Sequence, residues 1–401
     1  MALVQIDDPR QKPSPRGFAL FALGFRPFFL AAGVFAILFM GVWLAVLQGA
    51  QTPPAEVSPA AWHGHEMLFG YATAVIAGFL LTATQNWTSV PMTRGGPLAA
   101  MFGLWLAGRL LPFLPVPYAV VAAVDLLFLP AVLVAVARPV LKTRQSRNYA
   151  FSVMLLALTA ANALFHAAAL NSDPALSLLG LRLATYLVVL MMVVMGGRVI
   201  PYFTERRLDG TATRWKTLEW LAPITAVLLL IAAPVVQWLD RGDALFAAIA
   251  AAAALVHAIR ISGWQDRRLW KIPLLWILHL GYGWIVVGFA LDALHASGLV
   301  PPFLALHAYA TGGIGVLTLG MMSRVSLGHT GRMLEAPKIM SWAFVLINLS
   351  AAVRVFGPML LPAQAPLLYL LGGALWMAAF ATFVVVYGPM LWRPRADGKP
   401  G

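Results

Sequence analysis

Apolar residues come along this chain in runs of about 20, broken by short polar links that carry Pro, Gly and Arg. An α-helix rises about 1.5 Å per residue, so a run of that length spans the hydrocarbon core of a bilayer, about 30 Å thick. Twelve such runs are present, near 22–48, 62–85, 97–113, 117–137, 149–170, 178–200, 217–238, 243–262, 273–295, 303–325, 339–358 and 367–391. No link between them is long enough to hold a soluble domain. The pattern predicts an all-α polytopic membrane protein with twelve transmembrane helices, a single integral domain over 1–401 with polar tails at 1–17 and 393–401.

Composition agrees and narrows the chemistry. The chain is 61% hydrophobic, only 11% charged and free of Cys, which removes disulfides and thiolate ligands. The polar start, with Arg10, Lys12 and Arg16, lacks the apolar stretch of a signal peptide and reads as a cytoplasmic tail. With both termini cytoplasmic, most of the 28 basic residues fall in inner links and tails, with Arg26 and Arg198 at inner helix ends. Only Arg241 lies in an outer link, and Arg109, Arg182 and Arg354 sit at outer helix ends. This is the distribution that orients membrane proteins. The net charge of +13 is therefore topological; contact with anionic lipid accounts for it, and no nucleic acid is implied.

An internal repeat accompanies the helices. Met195, Arg198, Val199, Thr204 and Arg206 recur 126 residues later as Met321, Arg324, Val325, Thr330 and Arg332. The second helix joins at a spacing of 242: His65 with His307, Gly70 with Gly312, Gly78 with Gly320 and Thr88 with Thr330. The expectation is three four-helix units, about 18–138, 139–262 and 263–392, related by an axis along the membrane normal.

The chemistry is carried by histidine. In WHGHEMLF at 62–69, two imidazoles lie two residues apart at the outer mouth of the second run, and neighbours at that spacing point to opposite flanks of a helix. His307 opens the tenth helix at the same depth, and His166 and His295 close helices that run the other way. Imidazoles gathered in the outer third of a Cys-free membrane protein point to haem or copper. Equivalence in the repeat predicts His65 and His307 as a bis-His clamp for one haem, with His63 on a second haem or a copper and His166 and His295 as further ligand candidates. His257 and His279, nearer the inner side, suit a copper or a proton relay. Each of these histidines has the alternative of a plain hydrogen-bonding role. Arg109, Arg182 and Arg354 are placed to meet haem propionates, or else to snorkel to headgroups. Glu66 can receive an imidazole N–H or pass protons, or simply be solvated at the interface.

GFRPFF (24–29), WHGHEMLFGYATAVIAGFLLTATQNWT (62–88), MMVVMGGRVIPYFT (191–204) and GGIGVLTLGMMSRVSLGHTGR (312–332) resemble the NnrS family. That resemblance implies a bacterial inner-membrane protein of twelve helices that carries haem and copper and serves the response to nitric oxide and nitrosative stress. A looser likeness links the chain to the haem-copper oxidase core, whose second and tenth helices bear haem-ligating histidines. The copper ligands of that core lie on its sixth and seventh helices, where this chain has no histidine.

Three functions remain in view. The first is reduction of nitric oxide to nitrous oxide by a nitric oxide reductase-like oxidoreductase with b-type haem and copper. Its electron donor would be a quinol or a cytochrome, with His63 and Glu66 at the reacting centre. The second is a non-enzymatic haem sensor or sequestering protein for nitric oxide. The third is a membrane transporter, against which the parallel, threefold repeat argues.

Overall fold

A computed structural model describes residues 17–50, 56–239 and 242–399. Arg10, Lys12, Arg16 and Arg241 of the charge pattern lie outside them. Every described element is helical, and twelve helices are long and apolar enough to cross a membrane: α1 (Phe25–Val46), α2 (Pro59–Thr88), α3 (Gly96–Phe113), α4 (Tyr118–Lys142), α5 (Ser146–Leu170), α6 (Pro174–Leu208), α7 (Lys216–Val236), α8 (Asp243–Ser262), α9 (Pro273–Ala296), α10 (Pro302–His329), α11 (Lys338–Leu360) and α12 (Pro362–Trp392). Each corresponds to one apolar run of the sequence.

The largest difference is α6, which continues past residue 200 to Leu208. Pro201 does not stop it, and Asp209 ends it in the left-handed conformation (φ 48°). A membrane helix tolerates an internal proline when the freed backbone groups find other partners. At the other end, Asp173 caps α6 by accepting from Leu176 N, with Pro174 in the first turn.

Burial sorts the helices into an inner and an outer set. Within their most apolar windows α2, α6 and α10 are 83%, 67% and 72% buried, whereas α1, α7 and α8 are each 28% buried. α2 packs on α6, α6 on α10, and α12 returns to pack on α1. Ala19 N donates to Trp392 O (2.8 Å), bringing the segment before α1 against the end of α12. Aromatic residues fill the interior: Phe25, Phe28, Phe29, Tyr71, Tyr282 and Trp376 are all fully buried. Hydrophobic burial contributes little between helices immersed in lipid, so this close packing and the interhelical hydrogen bonds hold the bundle together.

Candidate functional site

The two inner helices that carry the histidine motifs share an irregularity. α2 is α-helical over Pro59–His65, π-helical over Glu66–Ala72 and α-helical again from Thr73. α10 is α-helical over Pro302–His307, π-helical over Ala308–Val316 and α-helical from Leu317. Each wide segment follows directly on a histidine, His65 or His307. π-helical turns are rare and frequently mark functional sites.

His65 is buried, with α4 and α5 facing it. Its Nδ1 lies 3.1 Å from Glu66 Oε1, and its Nε2 lies 3.0 Å from Asn162 Oδ1 and 3.4 Å from Asp125 Oδ2. His166 Nε2 meets the same Asp125 oxygen at 3.0 Å, while its Nδ1 meets Tyr118 Oη at 2.9 Å. Asn162 Nδ2 donates to Asp125 Oδ2 (2.7 Å). Arg109 donates to Glu66 Oε2 (2.6 Å) and, through its other terminal nitrogen, to Asp125 Oδ1. Two glycines make room for this cluster. A Cβ on Gly70 would stand 3.0 Å from Arg109 Nη1, and one on Gly108 would stand 2.9 Å from Asp125 Oδ1.

One atom of each of His65, Asp125 and His166 lies within 4.8 Å of the others, and all three residues are buried. Two imidazoles and a carboxylate are a donor set for copper, zinc or non-haem iron. The ring nitrogens turned away from that point are held by Glu66 and Tyr118, as outer partners hold metal-bound histidines. Charge argues in the same direction. Glu66 and Asp125 carry two negative charges against the single positive charge of Arg109. If His65 gives its Nδ1 proton to Glu66, its Nε2 lone pair faces two acceptor oxygens. One more positive charge, a metal ion or a proton on His65, resolves both problems.

His63 turns to the opposite flank of α2. Its ring stacks on Trp43 (centroids 4.2 Å apart, 13° between planes), and its Nδ1 is buried without a hydrogen-bond partner. It shares a cavity of about 90 Å³ with His307, Thr311, Arg354 and Tyr369, between α1, α2, α10, α11 and α12. His307 Nδ1 donates to Phe303 O (2.7 Å), which leaves Nε2 as its free nitrogen. Arg354 lies over the Tyr369 ring at 4.3 Å, and its Nη1 is buried without a partner.

The expected pairing of His65 with His307 therefore does not occur: His63 shares the space with His307, and His65 faces His166. Of the three arginines assigned to propionates, only Arg354 lines the histidine cavity. Arg109 is occupied by Glu66 and Asp125, and Arg182 lies over the Phe246 ring at 5.3 Å. The remaining histidines have other partners. His257 meets Tyr282 Oη (2.6 Å) and Ala222 O (3.2 Å), His279 meets Leu275 O (3.1 Å) and Trp264 O (3.3 Å), and His295 Nδ1 meets Val300 O (3.0 Å). His257 and His279 thus have both ring nitrogens engaged, away from either site.

Asp125, Asn162 and Tyr118 escaped the sequence reading as site residues. Asn162 precedes His166 by four residues and Tyr118 precedes Asp125 by seven, so each pair shares a helix face. Polar residues repeating at that spacing inside an apolar run were the available signal. The chain matches the family model of the NnrS protein over residues 19–395. No curated protein matches it.

Proposed function

Because the chain belongs to the NnrS family, we propose that it is a haem- and copper-bearing inner-membrane protein that binds nitric oxide and detoxifies it. Both termini lie in the cytoplasm on this reading, in keeping with the basic residues of the links. The observation that carries it is the division of labour across α2, whose His63 and His65 face two separate sites.

The residues of the first site fit a haem. His63 and His307 offer a nitrogen each, and the unpartnered Arg354 Nη1 suits an anionic propionate. His65, His166 and Asp125 fit the copper, with Glu66 and Tyr118 fixing the rings and Arg109 balancing the second carboxylate. When bound, the haem would supply one-electron exchange and the copper an open position for a small ligand.

The reaction joins two NO molecules with two electrons and two protons to give N2O and H2O, the electrons coming from a quinol or a cytochrome. Nitric oxide is uncharged and dissolves in lipid, so a site enclosed by helices needs no polar channel for it. Protons do need carriers. Glu66, which accepts the Nδ1–H of His65, is the carboxylate best placed to take up a proton and release it beside the cluster.

One observation favours the second reading, capture of nitric oxide without turnover. Both carboxylates of the cluster are held as anions by Arg109 and by histidine, which makes taking up a proton costly. Metal and haem analysis of purified variants tests the assignments. His63→Ala and His307→Ala should lose haem and keep copper; His65→Ala, His166→Ala and Asp125→Asn should lose copper and keep haem. Sustained N2O formation with an electron donor marks the reductase, and a single stoichiometric uptake marks capture. Protein without haem absorbance, or haem whose reduced spectrum ignores NO, rules out both.

A further inference from the structure

A second cavity, of about 90 Å³ and open on one side, lies between the most buried helices. α2, α6 and α10 supply most of its wall, and Phe29 of α1 and Leu278 of α9 complete it. Val75, on this wall, is ten residues beyond His65 along α2, so the cavity lies further along the helix than the metal cluster, past the π-helical stretch. Its wall exposes no polar atom. The one hydroxyl-bearing residue that lines it, Thr318, is bonded to Tyr71 Oη (2.6 Å) and donates to Ile314 O (2.6 Å).

Such a wall restricts what can enter. Water in an apolar cavity lacks the hydrogen-bond partners it needs, and cavities of this kind stay dry. An ion would be stripped of its hydration with nothing to replace it. Met191, Met192, Met195 and Met321 line the space. Thioethers can bind copper(I), yet no carboxylate lines this cavity to balance the charge. A quinol head would leave its oxygens without donors. What fits is a small uncharged molecule that makes only dispersion contacts, to which polarisable methionine side chains adapt well.

We propose that this cavity is a gas-binding site, a reservoir that holds nitric oxide below the two centres and passes it to them. The naming of the gas rests on the function proposed above; the existence of the site does not. Partly exposed residues of the wall, Met195, Val199 and Met321, lie towards the inner end of α6 and α10, so gas enters from the cytoplasmic half of the bundle.

Xenon under pressure, located by anomalous diffraction from the full chain, tests the site directly. Xenon should occupy the cavity in the unaltered protein and be lost from Val199→Trp and from Met195→Phe, either of which suffices if the other fails to fold. The combined Met191→Leu, Met195→Leu and Met321→Leu variant keeps the volume and should keep xenon. Xenon found only elsewhere would overturn the proposal, as would an ordered lipid or isoprenoid chain that xenon does not displace. Copper(I) bound in the unaltered protein and lost from the leucine variant would overturn it too. NO binding should be slowed in Val199→Trp at unchanged haem content, and unchanged kinetics in a variant that has lost xenon would refute the delivery role. Xenon binding needs neither haem nor NO, so the site and the function above can fail separately.

Discussion

His65 has two ring nitrogens and three oxygens competing for them, and that surplus of acceptors makes its surroundings a receptor for positive charge. Residues around the cluster hold its ligand atoms in place. Removing the Tyr118 hydroxyl frees the His166 ring to rotate, and losses of this kind usually weaken metal affinity about 10- to 100-fold. Tyr118→Phe should show that loss in metal titration of the apoprotein, with the helical fold intact by circular dichroism. Arg109→Ala is a harsher change, because it strands Glu66 and Asp125 in a dry interior. Breaking a buried pair in this way costs about 3–5 kcal/mol, and a lowered unfolding midpoint in detergent would register it. The sequence brought His63, His65 and His307 to the fore because each sits where lipid makes an imidazole expensive. It did not reveal their partners. Asp125 and His166 are 41 residues apart on different helices, and only the rotation of each helix decides whether they meet.

Those rotations belong to the helices. An apolar run of 20 residues announces a membrane span whatever its neighbours do, which is why all twelve helices were legible. Its hydropathy says little about which side faces inward, since lipid and protein interior are equally apolar. The π-helical stretches were likewise invisible, as no composition distinguishes Glu66–Ala72 or Ala308–Val316 from ordinary helix. Small residues, by contrast, mark close helix contacts. Gly108 on α3 lies where any side chain would press on Asp125 of α4. Gly108→Ala should separate the two helices and cost about 1–3 kcal/mol. A drop in thermal midpoint together with lost metal would show that α3 and α4 are held in register by this contact, and an unchanged metal content would show that they are not.

At the scale of the whole molecule, we propose that the three units seen in the sequence, about 18–138, 139–262 and 263–392, are related by rotation about the membrane normal. Such an axis explains why His65 and His307 do not face each other. Rotation carries equivalent side chains into successive interhelical spaces, so the partner of His307 must come from a different register position, as His63 does. On this proposal α2, α6 and α10, the most buried of the helices, would be the equivalent members of the three units. One consequence follows from the Ala19–Trp392 hydrogen bond and the packing of α1 on α12. A bundle whose ends already touch has no privileged starting point. Splicing residue 392 to residue 19 through a short linker and opening the chain instead between α4 and α5 should yield a circular permutant that inserts, folds and binds the haem and copper proposed above. Its failure to bind them would mean that the order of helix insertion, and not the final packing alone, builds the two sites.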